Sequence, residues 1–298
     1  MQRLLSLVLS ILLSLSLSAQ HTYIRAGVNP GYEERLATQI ISISAFKDFY
    51  GYSNNINYFL TTGYGALKYG PQGVVAYVHE SLHTYDNIKS AGLTNILYYW
   101  LDSTRLLKVQ IGPGFVTSDS IIATLPVSVK DRSMTKTYIS CTNKCFSQSL
   151  GIYGLLEEFD AYSSAPSILL SAYALLDTCI YKNDKSFWEG YLNDIYETRK
   201  NFFYFNIFFS TYLRYIAKDR SEFFNLLMAD PGFKNAFIGI YQKYENGLQA
   251  LNALEQRIDE RLYKKPSETY HYPFAEEFKI TKALYENPAT QQYIRLLR

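Results

Sequence analysis

Apolar positions along the chain fall into three regimes. From Leu4 to Leu17 they are continuous except for serine, behind Met1-Gln2-Arg3 and running into the small residues Ser16, Ser18 and Ala19. That is the pattern of a secretory signal peptide over residues 1–19, with an apolar core too short and too rich in serine for a stable membrane span. The second regime is mixed. Residues Arg35 to Phe49 suit a helix, and the Tyr, Gly and Asn residues between Tyr50 and Gly70 read as turns and short extended pieces. Gly70-Pro71 then opens a helix through about Asp86, with Pro71 near its first position. Ile96 to Trp100, Leu106 to Ile111 and Ile121 to Val129 carry β-branched and aromatic residues bounded by Gly112-Pro113-Gly114 and Pro126, and are expected to be strands.

The third regime is helical. Long patterns run over Leu155–Ser163, Ile168–Tyr181, Ser186–Ala217, Ser221–Met228, Phe233–Leu262 and Phe274–Glu286, with breaks at Pro166, Asn183-Asp184, Asp230-Pro231-Gly232 and Pro266. Phe202 to Ala217 is apolar enough to suggest a membrane segment, but Asn206 and Arg214 interrupt it and a buried helix fits better. The expected fold class is therefore α+β, predominantly helical. An α+β region over 20–150 is followed by a helical region over 151–298, with no repeat or Gly/Ser linker between them.

Composition narrows the function classes. A net charge of +2 with scattered Lys and Arg argues against a nucleic-acid partner. The 28 Tyr and 18 Phe are spread along every helix, as expected of core and half-buried surface. Cys141, Cys145 and Cys179 suit one disulfide and one free thiol in an oxidising, secreted or periplasmic setting.

The chemistry is concentrated in the helix after Pro71. Val75, Val78, Leu82 and Tyr85 form its buried stripe, and Gln72, Ala76, His79, His83 and Asp86 line the stripe beside it. Residues 79–83 read His-Glu-Ser-Leu-His. Two imidazoles four residues apart share one helix face and can hold one metal ion, while Glu80 can accept a proton from water bound to it. Asp86, one turn past His83, is placed to accept from an imidazole N–H. A third ligand must come from elsewhere, and Leu155-Leu156-Glu157-Glu158-Phe159-Asp160-Ala161-Tyr162 supplies two candidates. Glu158 is favoured because Ala161 leaves room one turn above it for close helix approach, with Glu157 its rival.

The His79-Glu80-Ser81-Leu82-His83 motif with the downstream Glu157-Glu158-Phe159-Asp160-Ala161-Tyr162 helix resembles the gluzincin group of zinc peptidases. The resemblance implies a zincin-like core, one Zn2+ held by His79, His83 and one of the two glutamates, and Glu80 as general base in hydrolysis of a peptide or protein substrate. The developing oxyanion would need a donor from the second half, for which His271 in Tyr270-His271-Tyr272, or a flanking Tyr, is the candidate. Two other readings stand beside this one. Cys141 and Cys145 could join the histidines in a closed structural zinc site, or the chain could be a non-catalytic secreted binding protein with a Tyr-rich recognition surface.

Overall fold

A computed structural model describes residues 71–93, 95–102, 105–141, 146–177, 185–263 and 270–298. The expected signal peptide, the helix over 35–49, the turns to Gly70, Cys145 and Cys179 lie outside these residues. The described chain is predominantly helical, with one two-stranded sheet.

Helix α1 (Pro71–Ser90) begins at the proline that needs no hydrogen-bond partner for a missing N–H. It stops before Gly92, whose φ of +77° takes the left-handed turn that a side chain resists. Strands β1 (Ile96–Asp102) and β2 (Arg105–Gln110) follow as an antiparallel pair with Tyr99 opposite Leu107 and Leu97 opposite Val109. Leu97, Tyr99, Trp100 and Leu101 are all buried, so β1 is covered on both faces. It packs against α1, while β2 packs against a later helix, α9 (Pro231–Leu262).

The expected strand over Ile121–Val129 is instead a 3-10 turn, Ser118–Thr124, and a one-turn helix, α2 (Val127–Lys130). Pro126 cannot donate to a sheet ladder, and the Thr124 hydroxyl donates back to the Ile121 carbonyl, so local bonding wins over strand pairing. Helices α3 (Ser133–Tyr138) and α4 (Phe146–Ser149) lead into α5 (Ile152–Ser163) and α6 (Ala165–Leu176). Pro166 does break α5 from α6, but it does so from the first turn of α6. The remainder is α7 (Lys185–Asp219), α8 (Ser221–Ala229), α9, α10 (Ala275–Glu286) and α11 (Pro288–Leu297). Helix α11 was not expected; Asn287 caps it by accepting from the Ala289 N–H, with Pro288 at its start. Among the described residues no helix is long and apolar enough to cross a membrane.

Two features fix α5. At its N-terminus Gly151 has φ +57°, and a Cβ there would lie 2.0 Å from the Val116 carbonyl oxygen, so only glycine fits. That carbonyl accepts from the Tyr212 hydroxyl of α7. In its middle, Phe159 is fully buried among Phe202, Phe205, Phe209, Phe237 and Tyr244, with ring centroids 5.4–6.1 Å away. Each such pair adds roughly 0.5–1.5 kcal/mol to the burial itself. The aromatic content read from composition is thus core that anchors this helix from α7 and α9.

Candidate metal centre

Helix α1 turns Val78 and Leu82 into the core and brings His79 and His83 onto the adjoining face, where α5 meets it. His79 is buried and His83 half-buried. The four-residue spacing sets the imidazoles edge to face so that their Nε2 atoms lie 2.9 Å apart, with ring centroids at 4.5 Å. From α5, Glu158 places Oε2 3.4 Å from His79 Nε2 and 3.2 Å from His83 Nε2.

These three atoms form a near-equilateral triangle. Ligand atoms held tetrahedrally at 2.0–2.1 Å from zinc stand about 3.3 Å from one another. The observed edges of 2.9, 3.4 and 3.2 Å fit that requirement. Glu158 Oε2 is buried and has no hydrogen-bond donor despite its proximity to the two nitrogens. Three lone-pair-bearing atoms converging in this way fit a cation of first-row size, and among the described residues no other group of three such side chains does.

The neighbouring carboxylate takes a different part. Glu157 Oε1 lies 2.6 Å from His83 Nδ1, on the outer side of the imidazole. A proton on Nδ1 donated to Glu157 leaves the Nε2 lone pair facing His79 and Glu158. Adjacent residues on a helix project about 100° apart, which is how Glu157 and Glu158 reach opposite sides of one ring.

Electrostatics follow from burial and this pairing. Burial disfavours a charged His83, yet the nearby Glu157 and Glu158 outweigh it and raise its pKa well above the ordinary value. Burial would push Glu158 up, but the charge of His83 and the close approach of both imidazoles hold it down at about 2. Glu157 is raised by burial, only partly offset by His83.

The other expected site residues are placed differently. Asp86 is buried one turn past His83, but no hydrogen bond joins it to either imidazole; the carboxylate in that role is Glu157. Asp86 lies instead within the field of Asp160, and burial first and that neighbour second raise its pKa well above the ordinary value. His271 is exposed on the loop before α10, and no hydrogen bond, ion pair or ring contact joins it to the triad. The chain has only four histidines, and being the one in the second half carries no information on the distance of His271 from the other site residues. Its neighbour Tyr272 donates to Glu197 and stacks on Tyr196, which is where that aromatic cluster packs. Glu80, half-buried on α1, follows His79 directly.

Two tyrosines that sequence reasoning passed over stand at the site. The Tyr162 ring contacts His79 at 4.4 Å between centroids, and its hydroxyl is 2.7 Å from that of Tyr138 on α3. Tyr162 lies one turn after Glu158 on α5, so a signal for it existed; Tyr138 had none. Burial is the main cause of the raised pKa of both hydroxyls, with the charges of Glu158 and Glu80 adding to it. Cys141 is disulfide-bonded, so its sulfur is not a thiolate for a structural zinc.

Compared with protein-family models, curated proteins and solved structures, the chain matches none.

Proposed function

We propose that this protein is a zinc-dependent peptidase in which His79, His83 and Glu158 hold the ion, Glu157 orients His83, and Glu80 is the general base. The observation that carries the reading is the triangle of two imidazole nitrogens and one unpartnered carboxylate oxygen, sized for a tetrahedral first-row ion. Two imidazoles and one carboxylate are a common catalytic zinc set that leaves the fourth position to water. Zinc supplies the Lewis acidity that polarises a carbonyl and brings the pKa of bound water toward neutrality.

The side chains divide the remaining work. Glu80, which follows His79 directly on α1, takes the proton of the attacking water in this reading and returns it to the leaving amine. The Tyr138–Tyr162 pair has two hydroxyl protons and spends one on the internal bond, so the other can point at a developing oxyanion. The high pKa of both hydroxyls keeps them donors at neutral pH. These tyrosines replace His271 in that role. A zincin-like core around α1 and β1, and export of the chain by residues 1–19 to a secreted or periplasmic site, belong to the same proposal.

The test is purified protein, assayed for zinc by mass spectrometry and for cleavage of a peptide mixture. Glu80→Gln is expected to keep one zinc per chain while hydrolysis falls by about 10²–10⁴. Tyr162→Phe is expected to lower turnover with zinc content unchanged. Hydrolysis that survives Glu80→Gln would overturn the mechanism, and protein that takes up no zinc would overturn the centre itself.

A further inference from the structure

Beneath the triad lies a second layer of charge that the chemistry above does not use. Asp160, two residues past Glu158 on α5, is fully buried, and Asp86, three past His83 on α1, is nearly so. From α9, Lys243 reaches toward these helices, its Nζ 3.7 Å from Asp160 Oδ1 and 5.2 Å from the Trp100 ring centroid. Buried atoms on all sides lack a hydrogen-bond partner: Lys243 Nζ, Asp160 Oδ2, Asp86 Oδ1 and Glu157 Oε2. The carboxylates of Asp160 and Asp86, with Asp102 of β1, thus act on the Lys243 ammonium, and Glu157 adjoins Asp86 and Asp160.

An excess of buried negative charge at this depth is costly unless a cation compensates it. Two cations are available to the layer: the ammonium of Lys243 on one side, and an ion at His79, His83 and Glu158 on the other. Asp86 and Asp160 ride on the two helices that carry the ligands, so the cost of burying their unpartnered oxygens acts to part α1 from α5. Resting on the metal-centre reading above, we propose that Lys243 is the standing counter-ion of the centre. It and the metal compensate the same carboxylates, and Lys243 is the positioning residue that keeps α1 and α5 together in the metal-free chain.

Such sharing has a sign. Removing Lys243 makes the metal more valuable to stability, because the ion then faces the layer alone. The experiment compares the thermal midpoints of chelator-treated and zinc-loaded wild type, Lys243→Met, and the double variant Asp160→Asn/Lys243→Met. The midpoint gain on zinc loading in Lys243→Met is expected to be roughly twice the wild-type gain or more. The double variant, which removes one carboxylate with the ammonium, is expected to return to the wild-type gain. Equal losses of midpoint in the metal-free and loaded Lys243→Met protein would overturn the inference, as would a double variant no better than the single. If Lys243→Met does not fold, folding of the double variant with a wild-type gain supports it, and failure of both overturns it. A wild-type chain that takes up no zinc sinks the metal-centre reading as well, which separates the two failures.

Discussion

Replacing Glu157 by Gln removes a charge and almost no volume from a buried position that touches Nδ1 of His83 and not the three converging atoms. The wild-type bond, 2.6 Å from Oε1 to His83 Nδ1, is short and charge-assisted. Glutamine can still accept through its amide oxygen, but it holds the imidazole less firmly and offers its own N–H as a rival. Loss of an outer carboxylate partner of a metal-ligating histidine costs about 10- to 100-fold in affinity, or roughly 1.4–2.7 kcal/mol. Glu158→Gln alters one of the three converging atoms and is expected to cost more than that. Competition for zinc against a chromophoric chelator, with far-UV circular dichroism to confirm folding, measures both. An order of effect in which Glu157→Gln abolishes binding and Glu158→Gln leaves it near wild type would refute the division of labour, assigning the ligand to the other glutamate.

Two further outcomes test the same region. In the metal-free protein, the raised pKa of His83 gives stability fully present below its unfolded value of 6.5, lost as pH rises through the higher folded value. The depressed pKa of Glu158 gives stability present above its unfolded value of 4.5, lost as pH falls toward about 2. Asp160, raised chiefly by burial to about 6, opposes folding increasingly as pH rises from its unfolded value of 3.8 through 6. The metal-free midpoint should therefore decline from pH 5 to pH 8, and a rise over that interval would contradict these assignments. Separately, Gly151→Ala combines a left-handed backbone with a Cβ placed 2.0 Å from a carbonyl oxygen, and is expected to lower unfolding free energy by about 3 kcal/mol or more in a denaturant titration.

What the sequence disclosed and what it hid divide by range. His79 and His83 were legible because a helix period is local, and the triad needs only that period on its α1 side. Most helices were legible for the same reason. The choice between Glu157 and Glu158 was weighted by Ala161, but rotation of α5 is set by Phe159 against rings from α7 and α9, contacts separated by dozens of residues. Asp86 sat on the right helix face, yet its surroundings come from Asp160 and Lys243, which no spacing connects to it. The strand expected over Ile121–Val129 failed because β-branched content cannot outweigh a proline and a side chain that bonds its own backbone.

The aromatic seat of Phe159 has a consequence for how this centre could vary. One insertion or deletion inside the first turns of α5 would swing the following residues through about 100°, enough to send Glu157 where Glu158 now points. The seat forbids that swing, because the ring would have to leave five aromatic neighbours at once. The assignment of one glutamate to each side of His83 is therefore a matter of angular phase, held by a hydrocarbon residue that stands outside the triad. Changes of length should be tolerated in the loop before Gly151 and not after it.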